Sequence, residues 1–233
     1  VLQMNPQGLG EAIARALPYV NDDEPTLIIL GDTLFEADLD QLEYAEENIL
    51  YTYKVSNPRR FGVAVTNESG EITELIEKPQ EFVSDEALVG IYYIKDTAAL
   101  RKALRKLLAD DIRTGGEIQL TDALEMMIQA GCKFKTAQVS RWLDCGLPET
   151  LLQTNSIMLW KNDNSAYKHF PGTKIIPPCH IGKDVYIENC TIGPNVDIGD
   201  NCRLKFVNIK DCVMWANENL SFTLIEKQII ASC

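Results

Sequence analysis

The chain has 233 residues, 45% of them hydrophobic and 24% charged, which allows one substantial core or two smaller ones and excludes disordered and collagen-like structure. A formal charge of -12 with no offsetting Lys/Arg run argues against nonspecific nucleic-acid binding, and the longest apolar stretches are too short to span a bilayer. Seven cysteines without metal-ligand C-x-x-C spacing do not make a disulfide framework and point to a reducing cytoplasm.

From Val1 to about Asn162 short β-rich runs alternate with amphipathic windows, the pattern of an α/β layered domain. Gly8-Leu9-Gly10 opens a helix carrying Ala12, Ile13, Ala16 and Leu17, and Pro18 closes it. Thr26 to Leu30 reads as a strand. Asp38 with Gln41 three residues later forms a capping box for a short helix ending near Glu47. Ile49 to Val55 is a strand, and Phe61 to Val65 pairs with Ile72 to Ile76 through the turn residues Asn67-Glu68-Ser69-Gly70. A strand over Ala87 to Ile94 precedes helices at Thr97 to Leu108 and about Leu120 to Ala130. A further strand spans Lys133 to Val139. Pro148 suits the first turn of a helix running to Trp160.

Beyond a loop containing Asn162 to Ser165 and Pro171-Gly172, helical periodicity stops. Aliphatic residues recur at about every sixth position, as in Ile181-Gly182, Ile187, Ile192-Gly193 and Ile198-Gly199, which is the hexapeptide pattern of a parallel β-helix. Val185, Cys190, Val196 and Cys202 take its tighter slots. The phase slips by one between Ile187 and Ile192 and again between Leu204 and Ile209, as a coil corner tolerates. Two domains are expected, residues 1–165 and 166–233.

Two carboxylates stand out. Asp32 ends the apolar run Thr26 to Gly31, and Asp144 sits in Trp142-Leu143-Asp144-Cys145-Gly146. A carboxylate released from a buried strand into a crevice is where an α/β sheet places ligand chemistry, and two could hold Mg²⁺ against a phosphate. The plainer alternative for each is a turn residue capping backbone N–H groups.

An ordered series of motifs lies around them: Gln3 followed by Pro6-Gln7-Gly8-Leu9-Gly10-Glu11-Ala12; Leu30-Gly31-Asp32; Pro58-Arg59-Arg60-Phe61-Gly62-Val63; Glu77-Lys78-Pro79; Val89-Gly90-Ile91-Tyr92; Gly116-Glu117 with Leu120-Thr121-Asp122; and the Trp142 to Gly146 segment. In this order and spacing the chain resembles the sugar-1-phosphate nucleotidylyltransferases, especially the long glucose-1-phosphate thymidylyltransferase type with a C-terminal left-handed β-helix. The resemblance implies a Rossmann-like, GT-A-like mixed sheet followed by a short left-handed parallel β-helix. It implies that a sugar 1-phosphate, glucose 1-phosphate first, attacks the α-phosphorus of dTTP or UTP to give a nucleotide sugar and pyrophosphate. Because the nucleophile is already an anion, positioning and charge neutralisation dominate such chemistry.

The resemblance further assigns catalytic roles to Asp32, Lys78 and Asp144, with Mg²⁺ held by Asp32 and Asp144. Gln3, Gly8 and Leu9 fall to the nucleotide, Gln3 reading a pyrimidine edge, and Gly62, Glu77 and Gly90 to the sugar. Gly10 replaces a more usual alanine. For Glu77 and Lys78 the plainer alternative is a solvated ion pair, for the glycines a bulge or tight packing. Adjacent strand residues point to opposite faces, so Glu77 and Lys78 meet one ligand only if the strand ends at Pro79. Nothing in the chain matches the family's glycine-rich loop with its arginine and later lysine. The sheet is therefore expected to be incomplete at its N-terminus, and the chain, beginning at Val1 rather than Met, to be a portion of a longer protein, the alternative being a truncated homologue, and inactive alone. Two other readings remain, a noncatalytic sugar-nucleotide-binding or assembly subunit and a hexapeptide acyltransferase using His180. The β-helix is otherwise read as an oligomerisation or regulatory surface, and a homo-oligomer is expected.

Overall fold

The computed structural model describes residues 1–161 and 167–232. The expected domain boundary at 165 and the loop Asn162 to Ser165 lie outside the described residues. The chain divides into two compact units, Val1–Trp142 and Leu143–Cys233.

The first unit contains helix α1 (Leu9–Ala16), strands β1 (Thr26–Ile29), β2 (Thr33–Glu36), β3 (Asn48–Lys54), β4 (Gly62–Thr66), β5 (Ile72–Glu77) and β6 (Glu86–Ile94), helices α2 (Thr97–Ala109) and α3 (Leu120–Gln129), strand β7 (Phe134–Gln138) and the start of β8 (Arg141–Asp144). The main sheet runs β5-β4-β6-β3-β7, with β1 also pairing β6. It is mixed: β3 and β7 are parallel, whereas β1, β3 and β4 run antiparallel to β6. β6 is buried along almost its whole length, so it reads as a near-continuous apolar run.

Its alternating side chains feed two cores. Leu88, Tyr92 and Ile94 join Leu50, Ala64 and the helix residues Leu100, Leu104, Leu107, Leu120, Leu124 and Met127. Val89, Ile91 and Tyr93 join Tyr51, Leu42 and Val139 on the other face. Each fully buried aliphatic side chain contributes about 1.5–3 kcal/mol, so the pattern fixes which face of β6 receives the helices. Asp96 starts α2 by accepting the Ala99 N–H at 2.8 Å, a cap worth about 1 kcal/mol.

The capping box at Asp38 needs correction. Asp38 Oδ1 accepts the Asp40 N–H at 3.0 Å, but Gln41 Nε2 donates to the Asp38 carbonyl at 2.8 Å and to Tyr51 Oη at 3.2 Å, and the segment is a single 3-10 turn over Asp40–Tyr44. Tethering Gln41 to the sheet stops the turn from extending. Strand β2 was not expected.

The second unit begins with the remainder of β8 and α4 (Pro148–Lys161), then passes through nine short strands: β9 (Lys174–Ile175), β10 (Cys179–Ile181), β11 (Tyr186–Glu188), β12 (Thr191–Ile192), β13 (Val196–Ile198), β14 (Arg203–Lys210), β15 (Cys212–Met214), β16 (Asn219–Glu226) and β17 (Ile229–Ile230). All of their pairings are parallel and in step, making a solenoid of about three turns. Cys179 pairs with Val196 and Val196 with Cys212, steps of 17 and 16 residues. Three full hexapeptides would give about 18 residues a coil, so each turn is shortened at its corners. Ile187, Ile192, Val196, Ile198, Cys202, Leu204, Ile209 and Cys212 fill the interior. The six described cysteines are free thiols. No described helix is long and apolar enough to cross a membrane.

Candidate active site

The N-terminal segment is fastened to the turn before α3. Ile118 N–H donates to the Gln7 carbonyl and Gly10 N–H to the Ile118 carbonyl, both at 2.8 Å. Gly8 has φ +118°, and a Cβ there would lie 2.5 Å from Ile118 O; one on Gly10 would lie 2.9 Å from Gln119 O. These glycines are required by backbone packed on backbone. Leu9 packs against the helical core. Gln3 Nε2 donates to the Gly8 carbonyl at 3.3 Å and to the carboxylate of Glu11, which Arg15 also contacts. Burial pushes the Glu11 carboxyl upward, but the Gln3 and Arg15 contacts together outweigh it, leaving its pKa below the ordinary value.

The end of β5 resolves how Glu77 and Lys78 can share a ligand. Glu77 is the last strand residue and Lys78 turns into the left-handed region at φ +47°, held by its N–H to Phe61 O at 3.0 Å. This reversal breaks strand alternation one residue before Pro79. Lys78 Nζ consequently lies 3.6 Å from Glu77 Oε1, the lysine half-exposed and the glutamate side chain 9% exposed. A non-glycine residue at positive φ costs about 1–3 kcal/mol. Glu77 Oε2 accepts from Thr121 Oγ1 at 2.6 Å. Gly62 stands opposite Glu77 in the β4–β5 ladder, and a Cβ on it would come within 2.9 Å of both Glu77 Oε2 and Thr121 Oγ1.

Gly90, at φ +85°, sits where Val89, Gly90 and Ile91 oppose Tyr51 alone, a bulge in β6. Leu30 N–H donates to its carbonyl at 2.9 Å, and the Leu30 side chain occupies the position a Cβ would need. This bond carries β1 to its end, so that Gly31 and Asp32 emerge exposed just beyond the sheet. Tyr92 reports on the electrostatics: burial raises its pKa, and the carboxylates of Glu77 and then Asp32 raise it further. Both charges therefore act on the same buried phenol.

Trp142 closes this unit, donating Nε1–H to Thr33 Oγ1 at 2.6 Å and packing edge-on to Phe61 with centroids 4.9 Å apart. Asp144 belongs to the second unit. Its Oδ1 accepts the Gly146 N–H at 2.9 Å and its carbonyl accepts from Thr154 at 3.0 Å, fixing it at the entry to α4. Among the described residues no three or more His, Cys, Asp or Glu side chains gather as a metal cage. Asp32 and Asp144 each present a hard carboxylate of the kind Mg²⁺ takes.

The structure thus brings Gly62, Glu77 and Lys78 into one cluster and sets Gln3, Gly8 and Leu9 in another. Thr121, Tyr92 and Glu11 were quoted within motifs but given no role. Their signal was polarity at positions the pattern buries. In the second unit His180 Nδ1 pairs with Asp197 Oδ1 at 2.8 Å on adjacent coils, beside a cavity of about 940 Å³ also lined by Asn155, Lys168 and Lys183.

A model described as "Nucleotidyl transferase" matches residues 1–160. A glucose-1-phosphate thymidylyltransferase of Streptomyces antibioticus is 28% identical over 245 residues, covering 94% of this chain and 67% of that protein. The Haloferax volcanii low-salt glycan biosynthesis nucleotidyltransferase Agl11 is 31% identical over 164 residues, 68% of this chain and 44% of its own length. A crystal structure of a Bacillus anthracis protein in complex with sucrose, assigned by its description to the glucose-1-phosphate thymidylyltransferases without an established activity, superposes with a TM-score of 0.56 at 25% identity, covering 72% of this chain and 66% of the other. The chain therefore spans two thirds or less than half of the length of these proteins.

Proposed function

Because the chain belongs to the nucleotidyl transferase family, on its sugar-1-phosphate nucleotidyltransferase branch, we propose that its protein joins glucose 1-phosphate to dTTP or UTP, releasing pyrophosphate. The Glu77–Lys78 reversal carries this reading, because it turns a carboxylate and an ammonium toward one place, where a sugar hydroxyl and a phosphate can be met together. Lys78 neutralises and orients the sugar phosphate; Glu77 accepts from a sugar hydroxyl. Gln3 is assigned to the pyrimidine, whose edge is shared by thymine and uracil, with Gly8 and Leu9 beside it. Gly62 and Gly90 keep the sugar side open.

Asp32 and Asp144 would hold Mg²⁺, which when bound supplies charge neutralisation at the reacting phosphates. The protein's own part is to hold two anions in line. The domain boundary near 165, a cytoplasmic setting and homo-oligomerisation through the β-helix belong to the same proposal.

The test is pyrophosphate release by the full-length protein with glucose 1-phosphate and each NTP, with and without Mg²⁺. Absence of turnover with every NTP would sink the transferase reading and favour a noncatalytic sugar-nucleotide-binding subunit. The 233-residue chain by itself is proposed to be inactive, and turnover by it would overturn that. The paired His180 beside its cavity supports acyl transfer as the second reading; release of free thiol from an acyl thioester, lost in His180→Ala, would be its mark.

A further inference from the structure

We propose that the second unit binds a phosphate monoester with an aromatic ring in its body, as in a nucleoside monophosphate, in the cavity between α4 and the first coil of the β-helix. This assigns a ligand class and no reaction, so it stands apart from both readings above. The cavity is internal to the unit. α4 packs on β13 and β15, and a space of about 940 Å³ lies between the helix and the coil that begins at β10. That volume falls within the roughly 300–1,000 Å³ of small-molecule sites.

One wall is largely apolar and fixed. Asn155, Met158 and Leu159 reach it from one face of α4, at the i, i+3 and i+4 spacing. Tyr167 closes it: its hydroxyl donates to the Cys179 carbonyl and accepts the Cys179 N–H, both at 3.0 Å, so the ring is held in place before any ligand arrives. Phe170 adds a second ring. The other wall carries the charges. His180 Nδ1 is engaged by Asp197 Oδ1 at 2.8 Å, which leaves Nε2 for a ligand. Lys183 is fixed at its backbone, its N–H donating to Asp200 Oδ1 at 2.7 Å, while its ammonium and that of Lys168 enter no ion pair among the described residues. In a chain of formal charge -12, two unpaired ammoniums at one cavity call for an anion. Of the three carboxylates beside them, Asp197 and Asp200 are hydrogen-bonded within the protein and Asp184 stands at a coil corner. A phosphate monoester, with roughly 1.5–2 negative charges and three acceptor oxygens, matches two ammoniums better than a carboxylate does. The rings of Tyr167 and Phe170 suit a flat apolar body.

The test is isothermal titration of the full-length protein with phenyl phosphate, inorganic phosphate and phenol, probes that are neither sugar phosphates nor NTPs. Phenyl phosphate should saturate one site with a Kd of about 1 mM or below, and each half of it should bind at least about tenfold more weakly. Lys183→Met and Lys168→Met keep the apolar stems and should each raise the Kd for phenyl phosphate about tenfold, the loss of one charge-assisted contact. Lys106→Met on α2 and Asp32→Asn should leave it unchanged. Binding that survives both cavity variants, or that shifts as much in Lys106→Met or Asp32→Asn, lies elsewhere and overturns the proposal. Equal affinity for inorganic and phenyl phosphate would mean loose anion attraction to exposed lysines and overturns it too, as does a lack of saturation at about 10 mM. Should either cavity variant fail to fold, the ring-proton NMR signals of Tyr167 and Phe170 read the same site in the wild type. They should move on titration with phenyl phosphate, and signals that stay still at saturation would again overturn the proposal.

Discussion

In the β-helix, left-handed residues return at every corner in three columns: Asp184, Asn201 and Asn217; Asn189, Phe206 and Phe222; Asn195, Asp211 and Lys227. In the layered unit the described non-glycine residues at positive φ are Lys78 and Asp111, and Lys78 adjoins the largely buried Glu77. The β-helix stabilises its exceptions by stacking like on like. Asn195 Nδ2 donates to Asp211 Oδ1 at 2.7 Å, Asn201 Nδ2 to Asn217 Oδ1 at 3.2 Å, and the rings of Phe206 and Phe222 stack with centroids 4.9 Å apart. A strained conformation repeated at a fixed period is a rule of construction. One that occurs singly, next to a carboxylate its own side chain reaches, is tied to local chemistry.

The largest effect that would break this contrast is on catalysis. Asp32→Asn removes an exposed carboxylate and no core volume, so kcat for pyrophosphate release should fall at least about 100-fold with an unchanged melting temperature. Wild-type turnover would remove Asp32 from the mechanism. Next is Leu204→Ala, a cavity in the β-helix interior, expected to cost about 2–5 kcal/mol in a denaturant titration. A cost below about 1 kcal/mol would mean that the coils collapse around the gap.

A matched pair tests the contrast directly. Lys78→Gly and Lys227→Asn each relieve a left-handed lysine and should each stabilise by about 1 kcal/mol or less. Only Lys78→Gly should also raise KM for the sugar phosphate; a normal KM would make Lys78 another corner residue. The smallest effect is on pH. Because the folded pKa of Glu11 lies below its ordinary value, its contribution is complete above the ordinary carboxylate range and is lost as pH falls through the lowered value. Glu11→Gln should therefore flatten the acid limb of the stability profile followed by circular dichroism, and an unaltered slope would assign that limb to other groups.

Much of the fold was legible because apolar periodicity is written locally. The strands at Thr26, Ala87 and Lys133 and the helices at Thr97, Leu120 and Pro148 lie within a few residues of their expected places, and the two corner slips in the β-helix showed as phase changes in its aliphatic repeat. What stayed hidden depends on partners far along the chain. Lysine rarely adopts positive φ, so the turn at Lys78 had no local cue. The space above Gly62 is taken by Thr121, which follows only once α3 is laid against the β4–β5 hairpin. The 3-10 turn at Asp40–Tyr44 was misread because the Gln41 side chain, besides its bond to the Asp38 carbonyl, donates to Tyr51 on β3, a partner outside its own segment.

The hydrogen bonds that join Gln7 and Gly10 to Ile118 also set a schedule for synthesis. A ribosome adding roughly 5–20 residues per second needs roughly 5–20 seconds to travel from Gly10 to Ile118. Until then α1, only 8 residues long and too short to hold a helix alone, lacks the strip of backbone that receives it. Gly8, the residue least able to hold a shape unaided, thus waits during translation for a partner far along the chain before it is settled.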